Sequence, residues 1–400
     1  MVNSVTTEER AISRNSGKFG TLYAAIVFLS LHWALVVYIN SSFLDQYVSN
    51  TTIGTLYAVS AILTIAVFMS MSKILSRAGK HTVVLALSLL EVLVMLGMAF
   101  AESANAVIVF FVIHQTIVPL IFFNMDIYME ELIGEKESNT GSKRGLLLAI
   151  ISAGYAATAL AAGYLLGDGE PQFTYVYIGS ALLMLPFIII MMTQFSSSKH
   201  KESQVNFSHK ALSEFWKKKD LRNVFGAHFL LQVFFAWTVI YSPLYLATVI
   251  GLNWVQIGQI LFFGLLAYVI FEYPIGIMAD KWLGEKELMS LGFLIVAVSI
   301  SWFLFIQEAS IIPWMLVMFL SRVGASLIEV TTESYFFKHT KGNDIDMISF
   351  FRATRPISYI VGAGLGSLML YFFDFNIMFL GLSALMIIGF FFAMALHDTK

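Results

Sequence analysis

The stretch GIMADKWLGEK, Gly276 to Lys286, sets two acids and two lysines into its last seven residues, between runs that are almost wholly apolar. The surrounding chain is 400 residues long, 58% hydrophobic and 12% charged, whereas about a quarter of the residues of a soluble domain are charged. Crossing the hydrocarbon core of a bilayer takes about 20 mostly apolar residues per helix, and windows of that kind flank the stretch on both sides. The charged knot therefore reads as a turn between two membrane spans. Whether a counterpart occupies the same place elsewhere decides how the whole chain is built.

Reading outward from it, apolar windows between charged or turn-forming residues number twelve. Six lie near 19–40, 53–72, 81–101, 105–128, 145–167 and 174–194, and six near 224–247, 254–279, 288–307, 311–336, 347–372 and 375–396. The longest polar gap, 195–223, falls at the centre. The expected organisation is an all-α membrane protein of 12 transmembrane helices, with one six-helix unit over residues 1–194, a linker over 195–223 and a second six-helix unit over 224–400. In the linker, Phe207, Ala211, Leu212, Phe215 and Trp216 share one side of a possible helix followed by three lysines, which suits an amphipathic helix on anionic membrane lipids. The apolar segment that follows Lys18 lacks a small-residue cleavage pattern and reads as a retained helix.

Lysine and arginine concentrate in short cytoplasmic loops. With both termini inside, all of the 24 basic residues except Arg322, Arg352 and Arg355 fall on the cytoplasmic side, and those three fall within spans. The opposite loops carry only acids, such as Asp45, Glu102, Asp168, Glu170, Glu308 and Asp374. The expected location is the plasma (inner) membrane, with N and C termini cytoplasmic.

Other classes find little support. A net charge of −2 gives no reason to expect nucleic acid. The absence of cysteine removes thiol catalysis and cysteine-ligated metal sites. No nucleophile elbow, phosphate-cradling glycine loop or metal-ligand spacing occurs, so neither an enzyme, a cofactor nor a metal is expected.

The two halves repeat. Trp33 precedes the Ile53-Gly54 pair by the same interval that separates Trp237 from Ile257-Gly258, so both landmarks are offset by 204. The register then drifts by single residues. Gly79 matches Gly284 at 205, Asp126 matches Glu333 at 207, and Arg144 and Gly154 match Arg352 and Gly362 at 208. The counterpart of the opening knot is SKILSRAGKH, Ser72 to His81, at the same place in the first half.

On these residues the chain resembles the major facilitator superfamily (MFS), whose signature in this loop runs Gly-x-x-x-Asp-Arg/Lys-x-Gly-Arg/Lys-Arg/Lys. Gly276, Asp280, Lys281, Gly284 and Lys286 match it, with Trp282-Leu283 in place of one position and Glu285 where a base is usual. The first copy keeps Arg77, Gly79 and Lys80 and has Ser72 and Ser76 for the glycine and the aspartate. The resemblance implies two pseudo-symmetric six-helix bundles, a central cavity lined by the first and fourth helices of each half, and a peripheral third helix. It also implies transport. The Gly-Pro motif that drug-exporting members carry in the fifth helix is missing.

Ionisable groups inside spans cost a few kcal/mol or more and are functional candidates. Here they are Glu91, Asp126, Glu272, Arg322, Glu329, Glu333, Arg352 and Arg355. Arg322, Glu329 and Glu333 fall within roughly 40° on one helix face, with Arg322 and Glu329 about 10 Å apart along the axis, and the resemblance turns this stripe to the cavity. Arg322, Glu329, His32, Trp33, Trp237 and Tyr241 are the candidate substrate-binding residues, and Glu329 is the candidate proton carrier. His228 and Gln232 lie about 140° or more from Trp237 around the axis of the seventh helix, so the two sets cannot both face the cavity; the repeat favours Trp237 and Tyr241. Glu91 reads as a packing residue. A cytoplasmic gate is expected from Asp126 with Arg352 and Glu333 with Arg144, with Asp280 and Lys281 of the loop motif alongside; pairing within each half, such as Lys281 with Glu333, is the rival.

The expected function is secondary active transport of a small organic solute by alternating access in a monomer, with protons as candidate coupling ion. The alternatives are a non-transporting receptor or scaffold and a lipid-handling protein of the same fold.

Overall fold

The computed structural model describes residues 7–133, 140–195, 217–279, 283–339, 351 and 354–397, and among these it is wholly helical, with no strand. Thirteen α-helices follow in order: α1 (Thr7–Val37), α2 (Asn40–Asp45), α3 (Asn50–Ala78), α4 (Lys80–Phe100), α5 (Ala104–Ile133), α6 (Thr140–Leu166), α7 (Phe173–Gln194), α8 (Lys219–Thr248), α9 (Trp254–Met278), α10 (Glu285–Ser301), α11 (Ile311–His339), α12 (Thr354–Phe372) and α13 (Phe375–Met394). All but the short α2 coincide with the twelve apolar windows. Ten spans among the described residues are long and apolar enough to cross a membrane. The apolar part of α6, Ile151–Leu166, is shorter, and α12 is diluted by Arg355, three glycines and serines. Large side chains such as Leu93, Val298 and Phe391 are exposed on the outside of the bundle, where lipid covers them at no hydrophobic cost. The central linker helix expected from the sequence falls on 196–216, outside the described residues.

Local chemistry fixes the ends of the helices. Ser49 caps α3 through the amide of Thr52, and Asn253 with Gln256 forms a reciprocal capping box at α9. Gly79 and Gly284, the matched glycines of the two loop motifs, have φ of 80° and 77°, a left-handed backbone that residues with a Cβ avoid. The repeat is thus expressed as the same turn made twice. The first span is interrupted: α1 stops at Val37, Tyr38 and Ile39 form a turn, and α2 resumes from Asn40.

Packing reproduces the repeat. In the first half α1 lies against α5, α6 and α7, while α4 lies against α5 and α7; in the second, α8 lies against α11, α12 and α13, while α10 lies against α11 and α13. Two long seams join the halves, α3 with α12 and α6 with α9, and α2 touches α8. Adding six to each span number, cyclically, turns one long seam into the other, which is the contact pattern of a twofold-related pair.

The seams are tightest at the acid-looped end. The Ser367 hydroxyl donates to the Thr51 carbonyl across 2.7 Å, and a side chain at Gly54 would collide with Tyr241, Ser367 and Ala363. On the other seam Gly258 lies against Gly163 and the Ala159 carbonyl. Gly54 and Gly258 are the matched glycines of the two Ile-Gly pairs, each serving its seam by having no Cβ.

Candidate functional site

The charged stripe of α11 faces inward. Arg322 is 3% exposed, donates to the Ser321 hydroxyl at 3.2 Å and has its guanidinium 5.1 Å from the centre of the Phe234 ring. Among the described residues no carboxylate comes within ion-pair distance of it. Tyr38 of the interrupted first span and Tyr268 of α9 lie within electrostatic reach. Seven residues along α11, Glu329 is half-buried and faces Glu272, Glu333 and Arg355. Arg355, on α12, is exposed yet ringed by Tyr155, Tyr359 and Glu329, with Tyr155 as a hydrogen-bonding partner.

Groups that are open to solvent and yet surrounded by side chains from several helices line a recess. Its deep end is closed by Tyr38, Tyr57, Tyr268 and Arg322, all at most 7% exposed. Accessibility increases through Glu329 to Glu333 and Arg355, toward the lysine-rich end. Among the described residues, accessibility thus grows toward that end, while the seams close the acid-looped end.

The other predicted residues divide differently. Along the middle of α8, from Ala227 to Leu246, the partly exposed positions are Phe229, Phe235 and Val239, the face that also carries His228 and Gln232. Trp237 and Tyr241, 1% and 0% exposed, turn into the packing between helices. The Tyr241 hydroxyl donates to the Ala363 carbonyl at 3.0 Å, so this residue belongs to the seam. His228 bonds the Thr332 hydroxyl at 3.1 Å and stacks on Phe351. On α1, Trp33 lies against the His114 ring at 5.4 Å, and His32 points into the interior of the first half, with its ring nitrogens facing Ser180 and Glu91. Arg322 and Glu329 are thus brought together at the recess, while His32, Trp33, Trp237 and Tyr241 stand apart from it.

Of the gate residues, Glu333 is exposed on α11 and lies near Glu272 and Glu329. The side chains of Asp126 and Arg144, and residues Asp280, Lys281 and Arg352 entirely, lie outside the described residues.

Residues that the sequence reading left out of the substrate-binding set are Tyr38, Tyr155, Tyr268, Tyr359, Glu272 and Arg355, the last two named there only as ionisable groups within spans. A signal existed for three of them: Glu272 and Arg355 are ionisable residues within spans, and Arg355 and Tyr359 are four residues apart, hence on one helix face.

An all-helical fold with a duplicated packing pattern and a charged central recess defines a membrane transporter of the two-bundle kind. The sequence profile of the Major Facilitator Superfamily matches residues 22–267 and 256–400, and the chain belongs to that family. Among solved structures it is similar to a crystal structure of the nucleoside transporter NupG, with 12% identity, a TM-score of 0.72 and coverage of 94% of this chain and 98% of that one. A mutant of NupG aligns likewise, at 13% identity and a TM-score of 0.74, covering 94% and 99%. At such identity the likeness concerns the fold alone. No curated protein sequence gives a match.

Proposed function

We propose that this transporter moves a small polar organic solute by alternating access, binding it between Arg322 and Glu329, with protonation of Glu329 coupled to the cycle. The observation that carries the reading is Arg322: a guanidinium 3% exposed at the blind end of a recess, among tyrosines and without a carboxylate partner among the described residues. A buried charge of this kind is costly unless something answers it. A solute carboxylate, carbonyl or hydroxyl can do so, while the Tyr38 and Tyr268 hydroxyls and the His228–Gln232 face of α8 supply further hydrogen bonds.

Glu329 suits the proton because it sits where access to water changes as the halves rock, with Glu272 and Glu333 opposing its charge and Arg355 favouring it. With the lysine-rich end cytoplasmic, the exposure gradient of the described residues suits an inward-facing conformation. The cross-half pairs Asp126 with Arg352 and Glu333 with Arg144 are the gate of this cycle, closed when the cavity faces outward, and exchanging the charges of Glu333 and Arg144 should restore transport that either single reversal abolishes.

The test is solute flux into liposomes containing the purified chain, with and without an imposed pH gradient, across sugars, amino acids and nucleosides, the last included because the fold is shared with a nucleoside transporter. Saturable uptake of one class, abolished by Arg322→Ala, supports the reading. Absence of flux for every class under both conditions would point to a receptor or scaffold instead.

A further inference from the structure

Inside the first half, away from the recess, three ionisable side chains from three helices converge. His32 of α1, Glu91 of α4 and His114 of α5 are each 0% exposed. One oxygen of Glu91, Oε1, is 3.1 Å from His32 Nε2 and 2.5 Å from His114 Nδ1, and one potential ligand atom from each residue lies within 4.8 Å of the others. We propose that His32, Glu91 and His114 bind a divalent transition-metal ion, zinc being the best fit to two imidazoles and a carboxylate.

The outer contacts of the histidines support this. His32 Nδ1 faces the main-chain oxygen of Ser180 at 3.1 Å and its hydroxyl at 2.7 Å, and that hydroxyl also reaches the His32 carbonyl at 3.0 Å. All three contacts are satisfied together if Nδ1–H donates to Ser180 and the Ser180 hydroxyl donates to the carbonyl. In the neutral ring this leaves a lone pair on Nε2 directed at the Glu91 carboxylate, so a cation is favoured between them, either a proton on Nε2 or a metal ion. His114 is held similarly on its far side: Nε2 is 3.4 Å from the Asn40 amide, whose other atom bonds the Tyr177 hydroxyl at 2.9 Å. As placed, the Asn40 amide donates to Nε2 and its oxygen accepts from the Tyr177 hydroxyl; binding a metal through Nδ1 requires that amide to turn over, its oxygen and nitrogen being alike in outline, so that the oxygen takes Nε2–H and the Tyr177 hydroxyl accepts from the amide instead. Metal-binding histidines are commonly anchored in this way through their second nitrogen.

A proton could also bridge the trio, but it would engage only Oε1. The other oxygen, Glu91 Oε2, is buried with no hydrogen-bond partner, and a metal bound by both oxygens would satisfy it. Room for the ion requires the three ligand atoms to open to roughly 3.3 Å apart, the edge of a tetrahedron with ligand distances near 2 Å.

The second half argues that the fold itself does not demand this cluster. At the matched offsets His32 corresponds to Ala236 (offset 204), Glu91 to Val296 (offset 205) and His114 to Ser321 (offset 207), all buried at 0%. The same helices pack there around small, uncharged groups. Two histidines and a glutamate in place of alanine, valine and serine are thus particular to the first half, and the oxygen of Glu91 that the histidines leave unpaired is the atom a ligand would engage.

The test is metal analysis of the full-length chain, tag removed, produced with added zinc and purified in detergent without chelators. The expected result is about one zinc per chain in the wild type, little in Glu91→Gln and in His114→Ala, and affinity lowered roughly 10- to 100-fold in Asn40→Leu, the range for loss of an outer-shell partner. Production with cobalt in place of zinc should give the visible absorption of a four-coordinate ion. Substoichiometric metal in the wild type, or equal metal in the wild type and Glu91→Gln, overturns the proposal. Absence of metal from the wild type overturns the proposal even if every variant fails to fold, while assignment to the trio rests on the milder Glu91→Gln and Asn40→Leu variants, and no readout depends on transport.

Discussion

The first half encloses His32, Glu91 and His114 within its own bundle, where they answer one another, whereas the second turns Arg322, Glu329 and Glu333 toward the shared recess. Helices that pack alike carry opposite assignments of charge. The contrast teaches that in a duplicated fold the packing graph is common property while chemistry is assigned half by half. It also suggests a division of labour, in which a stiff first half provides tyrosines and a wall, and the second provides the charged groups that meet the solute.

The contrast can be broken or sharpened by substitution, beginning with the largest effect. Arg322→Ala should reduce the initial rate of liposome uptake roughly 100-fold or more, following the ~3–5 kcal/mol scale for losing one member of a buried charged arrangement. Gln115→Ala, at the matched position of the first half (offset 207), should leave it nearly unchanged; equal losses would erase the distinction between the halves.

Next come Gly54→Leu and Gly258→Leu, which place bulk where each seam closes. Overpacking costs about 1–3 kcal/mol, so each should slow uptake by about 10- to 100-fold, and the two should resemble each other because the seams are symmetry mates. An intact detergent elution profile would show that the fold survives.

Glu329→Gln should abolish pH-driven accumulation while retaining exchange of labelled for unlabelled solute. Retention of pH-driven accumulation would remove Glu329 as the proton carrier. The smallest effect belongs to Tyr241→Phe, which loses one hydrogen bond to the Ala363 carbonyl and about 1 kcal/mol of stability, read as a modest fall in thermal melting with substrate recognition unchanged.

The spans and the repeat were legible because hydropathy, loop charge and recurring glycines are one-dimensional signals. Even the turns at Gly79 and Gly284 were marked by matched letters. Rotation about a helix axis is harder to read. The first span is polar on more than one side, so His32 and Tyr38, six positions and hence roughly 240° apart, compete for the recess. Tyr38 lies beside Arg322, while His32 faces Glu91. On α8 the matched tryptophans pointed to one face, and the exposure pattern favours the other. The His32–Glu91–His114 cluster was hidden for a different reason: its members sit on three separate helices and meet only through their packing, so no spacing rule announces them.

The break after Val37 gives the first span two loyalties. Its long part, α1, is anchored among α5, α6 and α7, while the stub α2 rests on α8 of the other half and on α3. If the halves rock while α2 keeps its seat on α8, the chain flexes at Tyr38 and Ile39, within electrostatic reach of the guanidinium proposed to grip the cargo. Occupancy of the pocket and the angle between the bundles would then be felt at one joint, like a finger on a hinge pin, with no longer relay required.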